Sequence, residues 1–453
     1  MKKIRALFGA CTLTLGSFSI AYGAVSADQA ALLKTTLTPF GAEKGASSDG
    51  NIPAWTGGYT QVPAGYRSGD PLPNLFAGDN KLYSITAANM NQYKDKLAEG
   101  AQYLLKKYPD FRIDVYPTRR TAAAPQWVYD NTFANATRAQ TTNGGLSVTG
   151  AYGGVPFPIP QDGYQVMWNH LLAWKGENIQ GAGVGYVLTN QGQLVLSSVV
   201  QRQVAFPYFQ KSGSLASFNG SYQYATSVTV DPPYQRGQAT LVKIPLDQYN
   251  SPISSWQYLT GQRRVRKAPD LAYDTPNFFS SGVINFDEFG VFYGAMDRYD
   301  VKLIGKKEIL IPYNMNNVWT MPLKSQIGSH FHSPDATRWE LHRVWEVEFT
   351  LASGKRNIIA KRDIYVDEDS WNAVLADEWD GSGNLWKFLC GLPAVLPELP
   401  GVLVNNVANY DFQSGMMAVT PGVSSDYPTM WKSVAPLPET AWTPQALAAA
   451  GVE

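Results

Sequence analysis

Hydrophobic and polar positions along this chain follow a helical period in the first third and a strand period after it. Ala30 to Leu37 reads as a short helical run. From Ala87 to Tyr108 the apolar positions Met90, Tyr93, Leu97, Tyr103 and Leu104 recur at helical spacing. Another short helix is predicted over Gly163 to Trp174. The period then becomes two. Val184 to Leu188, the turn Asn190-Gln191-Gly192, and Gln193 to Phe206 read as a hairpin. Tyr222 to Val230 and Gln238 to Ile244 are further strands. Trp256 to Leu259, Thr260-Gly261, and Gln262 to Arg266 form a second hairpin. Asp300 to Ile311, Trp339 to Leu351 and Arg356 to Val366 extend the sheet. Asp380 to Gly383 is a turn before Leu385-Trp386-Lys387-Phe388, and Thr443 to Ala450 is a last helical turn or two.

Trp339 to Leu351 alternates most cleanly. Trp339, Leu341, Arg343, Trp345, Val347, Phe349 and Leu351 share one face. Glu340, His342, Glu346, Glu348 and Thr350 share the other, with Val344 as the exception. This predicts a half-buried strand of an antiparallel sheet. On the next strand Ile358, Ala360, Arg362, Ile364 and Val366 share a face, and the turn near Ser353-Gly354 is expected to bring Arg343 and Arg362 close together. An arginine on an apolar face is costly unless it is compensated. Three arrangements would compensate it: pairing with a carboxylate such as Asp300 or Glu308, a wet or ligand-filled cavity, or a rim position with the stem buried and the head out.

The first residues add an export signal. Lys2, Lys3 and Arg5 precede an apolar run from Ala6 to about Ala21, and Ala21-Tyr22-Gly23 suits cleavage before Ala24. The run is shorter than the roughly 20 apolar residues a membrane span needs, so no span is expected after cleavage. Cys11 sits early in that run, which fits a soluble mature protein better than a lipoprotein. Residues 1–23 are thus a signal peptide, 24–148 an N-terminal helical and loop segment wrapping the core, and 149–453 a β-sheet core with a C-terminal tail, one domain overall. Export places the chain in the periplasm, with peripheral contact to the outer membrane as the alternative site.

Composition narrows the function. Net charge is zero and 16% of residues are charged, which argues against nucleic acid as a partner. Aromatic residues make up 13%, suiting a β-rich chain with surfaces able to stack. Cys390 is the one cysteine left after cleavage, so no internal disulfide forms, and its apolar neighbours fit a small core residue. His330, His332, His342 and Asp335 lack the ligand set and spacing of a zinc site. Asp367-Glu368-Asp369 and Asp377, Glu378 and Asp380 are sequence-adjacent, unlike the facing pair of a glycosidase. Asp380 to Asn384 lacks the rhythm of a calcium loop. No nucleophile elbow or phosphate loop is present, so neither a catalytic site nor a cofactor nor a metal is expected.

Several longer motifs occur in order: Trp256-Gln257-Tyr258-Leu259-Thr260-Gly261-Gln262-Arg263-Arg264-Val265-Arg266-Lys267, Asp297-Arg298-Tyr299-Asp300 with Leu303 to Glu308, His342 to Glu348, and Ala360 to Trp371. On these the chain resembles the family called domain of unknown function 1329 over nearly its whole mature length. That family is similar in fold to the lipoprotein carriers LolA and LolB. The resemblance implies a mainly β fold with helices (α+β), a strongly bent antiparallel sheet forming an unclosed barrel capped by helices around a cavity for acyl chains. It also implies work beside an outer-membrane β-barrel protein and a resistance-nodulation-division (RND) exporter. The expected function is therefore a periplasmic carrier or docking protein for a hydrophobic, lipid-like molecule. A ligand-free outer-membrane scaffold is the alternative, with an uncharacterised hydrolase behind it. The expected binding residues are Arg264, Arg266, Arg343 and Arg362 for an anionic group, and Trp168, Trp174, Trp256, Trp319 and Trp345 for an apolar cleft. For each tryptophan, core packing is the competing assignment.

Overall fold

A computed structural model describes residues 24–70, 74–420 and 431–451. The expected export signal, with Cys11, lies outside the described residues. Four short strands come first: Tyr83–Ile85 (β1), Ile113–Val115 (β2), and a separate hairpin of Gln140–Thr142 (β3) and Ser147–Thr149 (β4). Six strands then pair in antiparallel succession: Asn178–Leu188 (β5), Leu194–Ala205 (β6), Ser221–Asp231 (β7), Ala239–Pro245 (β8), Ser254–Leu259 (β9) and Arg264–Lys267 (β10). A second run holds Tyr299–Pro312 (β11), Trp339–Leu351 (β12), Lys361–Asp367 (β13), Ala373–Trp379 (β14), Leu385–Leu396 (β15), Gly401–Asp411 (β16), Met416–Thr420 (β17) and Lys432–Ser433 (β18).

The two runs join through β17 on β5. The main sheet follows the order β1-β2-β12-β13-β14-β15-β16-β17-β5-β6-β7-β8-β9-β10, with β11 on β12 and β18 on β5. Its pairs are antiparallel except for β2 with β12. The order does not return on itself, so among the described residues the sheet is not closed into a barrel. Helices are short: Ala27–Ala31 (α1), Glu99–Lys107 (α2), Gln126–Ala136 (α3), Gly163–Leu171 (α4), Leu323–Gln326 (α5) and Pro444–Ala450 (α6). No helix of the described residues is long and apolar enough to cross a membrane.

The strand period was a good guide, and β12 has the predicted bounds. The long helix predicted over Ala87 to Tyr108 does not form. Met90–Gln92 and Lys94–Lys96 are single 3-10 turns, Leu97 is extended, and α2 begins at Glu99. A distant residue fixes that start: the Asp377 carboxylate accepts the Glu99 and Gly100 N–H groups, each at 2.8 Å, and so caps the helix. A side chain at Gly100 would meet the Phe388 ring within 2.3 Å, so the helix packs on β15 only with glycine there.

The polar face of β12 is not solvated, which corrects the half-buried expectation. Glu340, His342 and Glu346 are buried. The segment before α3 lies over Glu340 and the start of the strand. Thr118 Oγ1 donates to the Leu341 carbonyl at 2.7 Å, and the Arg119 N–H donates to Glu340 at 2.6 Å. Pairing register also separates the two arginines. Arg362 lies opposite Phe349, six positions along β12 from Arg343.

Candidate functional site

The connection from β10 to β11, residues 268–298, crosses the inner face of β5 to β8. It is built from 3-10 turns rather than strands. Asn277 caps one turn by accepting the Phe279 N–H at 2.9 Å. Asn285 and Glu288 form a capping box at the next. Two buried ion pairs fasten this covering segment to the second run of strands. Asp287 Oδ2 is 2.8 Å from Arg362 Nη2 on β13, and Glu288 Oε2 is 2.8 Å from Lys387 Nζ on β15. At its tip, hydroxyl bonds hold it to β6: Ser197 to Ser281 at 2.7 Å, and Ser198 to the Phe279 carbonyl at 2.8 Å.

Between sheet and cover lies a predominantly apolar cavity of about 120 Å³, partly open to solvent. Phe279, Phe286, Phe289 and Tyr293 of the cover face Val200 of β6 and Val242 of β8 across it. Gly183 helps make the space: a Cβ there would have nothing within 4 Å. A neighbouring space of about 60 Å³ shares Arg202, Phe289, Gly290, Tyr293, Asn405 and Trp431 with it and reaches His170 and Lys175.

This second space is of mixed character, with polar and apolar side chains in its wall. The Arg202 guanidinium lies 4.4 Å from the Phe289 ring centre and 6.0 Å from that of Trp431. Its Nε is buried without a hydrogen-bond partner. Burial lowers the Arg202 pKa, and it pushes the Lys175 ammonium down to about 8. His170 is neutral: burial first, and Lys175 second, push it down to about 3. Its Nε2–H donates to the Phe292 carbonyl at 2.8 Å, while Nδ1 accepts the Ala373 N–H at 2.9 Å.

None of the nine sequence-predicted binding residues lines either space. Arg264 and Arg266 are exposed on β10. Arg343 lies among Glu308 at 3.4 Å, Glu43 at 3.6 Å and Glu368 at 3.6 Å. Arg362 meets Asp287 and, at 3.0 Å, Glu378. Burial alone would lower the Arg362 pKa, but those two carboxylates hold it above its ordinary value. Trp168, Trp174 and Trp319 are buried, with ring N–H groups donating to the Gly145 carbonyl, the Leu399 carbonyl and Asn406 Oδ1. Trp256 packs with Tyr258 and Trp442 in a small cluster under α6, and Trp345 stacks on Trp371 with Lys306 over its face. Arg202, Lys175 and the covering aromatics were not singled out from the sequence. Arg202 had a signal, since it alternates with Val200 and Val204 on an apolar strand face.

His342, Asp367 and Asp369 come close enough together to hold a metal ion. Their existing partners argue against that use. Asp369 binds Arg120 through both oxygens, at 2.6 and 2.8 Å. His342 stands 3.3 Å from both Glu340 and Asp367; burial would lower its pKa, but the bonds to these carboxylates push it up to about 9. A protonated ring offers no lone pair to a metal. His332 is buried apart from this group, 2.7 Å from Thr337 Oγ1. Cys390 is buried and its thiol is pushed well above the ordinary range.

The family model described as "Protein of unknown function (DUF1329)" matches residues 84–448. An uncharacterized protein of Pseudomonas aeruginosa, PA3922, is 41% identical over 379 residues, covering 80% of each chain. A crystal structure of a DUF1329 family protein from Desulfovibrio piger is 15% identical and overlaps 63% of this chain and 97% of its own, with a TM-score of 0.42. A Vibrio parahaemolyticus domain described as an outer membrane lipoprotein-sorting protein is 11% identical over the same shares, with a TM-score of 0.43. The LolA superfamily protein NE2245 from Nitrosomonas europaea is 12% identical over 63% and 98%, with a TM-score of 0.36.

Proposed function

The chain belongs to the DUF1329 family, and for this member of it we propose the role of a periplasmic carrier or docking protein for a hydrophobic, lipid-like molecule. The observation that carries this reading is the apolar cavity between the open sheet and its aromatic cover. A protein without an occupant gains from filling such a space with side chains. Here Gly183 faces it instead, where a side chain would meet nothing within 4 Å, with half-buried phenylalanines opposite. The signal-like N-terminus supports a periplasmic location, and the resemblance of the motifs to a family similar in fold to the LolA and LolB carriers supports transport rather than chemistry. An RND exporter and an outer-membrane β-barrel are the partners this reading names.

Size decides what kind of occupant fits. Apolar cavities of roughly 150 Å³ take up a benzene-sized molecule. The space of about 120 Å³ therefore admits one hydrocarbon segment, with the remainder of the molecule in the open mouth.

The test is mass spectrometry of an organic extract of the protein purified from its native periplasm, with titration of a fluorescent apolar probe beside it. A near-stoichiometric apolar molecule, or saturable probe binding, is the expected result. A clean extract together with no saturable binding overturns the carrier reading in favour of a scaffold. Copurification of an exporter or barrel subunit with the intact chain tests the partners separately.

A further inference from the structure

Among the described residues the fully buried cations are paired. Arg120 meets Asp369, Arg338 meets Glu340, Arg362 meets Asp287 and Glu378, and Lys387 meets Glu288. Arg202 and Lys175 are half-buried, have no carboxylate partner among the described residues, and both line the smaller space beside the cavity. A cation partly withdrawn from water without a partner loses hydration that nothing replaces, as the buried, unpartnered Arg202 Nε does. The exception therefore falls at the place where the fold also leaves room for a guest.

We infer that Arg202 and Lys175 form a head-group site, and that the cargo is a single-chain anionic amphiphile whose carboxylate lies between these two cations while its chain runs along Val200 and Gly183 toward the mouth. This rests on the carrier reading and adds the charge and polarity of the cargo to it. The chemistry is matched at both ends. The Arg202 guanidinium packs by two aromatic rings and its Nε has no hydrogen-bond partner, so it has a donor free for a carboxylate, and the Lys175 ammonium on the wall of the same space adds a second positive charge. The smaller space of about 60 Å³ suits a group as small as a carboxylate. The adjoining apolar walls suit a chain. Its neighbour His170 cannot supply a counter-charge, because both ring nitrogens are already engaged and the ring is neutral.

The experiment compares cis-parinaric acid with its methyl ester on the mature protein at neutral pH, by fluorescence titration. The acid is expected to bind about tenfold or more tightly than the ester, as one charge-assisted contact predicts. R202M and K175M should each reduce acid binding more than ester binding and so narrow the preference for the acid, with R202Q and K175Q as alternates if a Met variant loses its cooperative melt. Equal binding of acid and ester by the parent protein overturns the head-group site and leaves the carrier reading standing. An acid preference that survives undiminished in the variants at both positions overturns the assignment to these residues. Failure of both ligands to bind overturns the carrier reading and this inference with it.

Discussion

Asp287 and Arg362 meet at 2.8 Å, and through that contact the segment covering the cavity is tied to a strand of the opposite half of the sheet. Their sequence positions differ by 75, so the bond forms only once both halves are in place. Arg362 is fully buried, and its guanidinium also lies 5.6 Å from Phe292 and 5.3 Å from Tyr299. It acts here as a structural clamp.

Replacing Arg362 by Met leaves Asp287 and Glu378 buried without their cation. Loss of one partner from a buried pair costs about 3–5 kcal/mol. R362M is therefore expected to lower the urea midpoint strongly, and equilibrium unfolding of parent and variant measures it. A midpoint unchanged within error would mean the clamp contributes nothing net.

Gly183 offers the opposite case. A Leu side chain there points into empty space, so G183L should fold with stability within about 1 kcal/mol of the parent. It should also abolish saturable binding of an apolar probe. A thermal melt beside a probe titration reads both, and undiminished binding would remove the cavity as the site.

Two buried histidines set opposite pH limbs. The His342 pKa is raised in the folded protein, to about 9 against an ordinary value of 6.5. Its contribution is complete below 6.5 and is lost as pH rises through 9, amounting to about 3 kcal/mol. H342N should flatten that alkaline limb in a series of denaturant melts. A limb of unchanged slope in the variant would show that His342 does not carry it.

His170 works in the acid direction. Its folded pKa is pushed down to about 3, so below 6.5 the unfolded chain binds a proton that the folded ring refuses. Stability from this group therefore falls by up to about 1.4 kcal/mol per pH unit as pH drops from 6.5 toward 3. NMR titration of the His170 ring checks it directly: a midpoint near 6.5 would contradict the burial that the two ring hydrogen bonds describe.

Cys390 should resist thiol reagents in the folded protein. It is buried on β15 beside Leu389 and Leu392, and its thiol is disfavoured as thiolate. Labelling of the mature protein by a disulfide reagent is expected at the rate of unfolding and no faster. Rapid labelling without denaturant would refute the burial.

Strand periods made much of the sheet legible. β5 to β13 stand close to the predicted runs, and of the three arrangements open to the arginines, pairing with carboxylates is the one found, with Glu308 beside Arg343. β14, β16 and β17 were not read. β14 carries Asp377 and Glu378 in its interior, which breaks the apolar pattern, and their partners are the start of α2 and Arg362. β15 was recognised only at its start, because Gly391 and Pro393 interrupt it and Pro393 falls at a register shift. The cavity was hidden for a related reason. An arginine between valines signals a special position, but the sequence does not disclose whether a carboxylate will stand opposite. For Arg362 one arrives from the covering segment; for Arg202 none does among the described residues.

The covering segment is also fastened unevenly. Its end near 287–288 is held by two buried charge pairs, whereas its tip at 279–281 is held to β6 by serine hydroxyl bonds of about 1 kcal/mol each. Local opening is therefore expected to begin at the tip, where the fewest strong bonds have to break. The entrance would then widen above Ser197 and Ser198 while the floor around Arg202 stays fixed. A chain could be drawn out lengthwise without unfolding the sheet that held it.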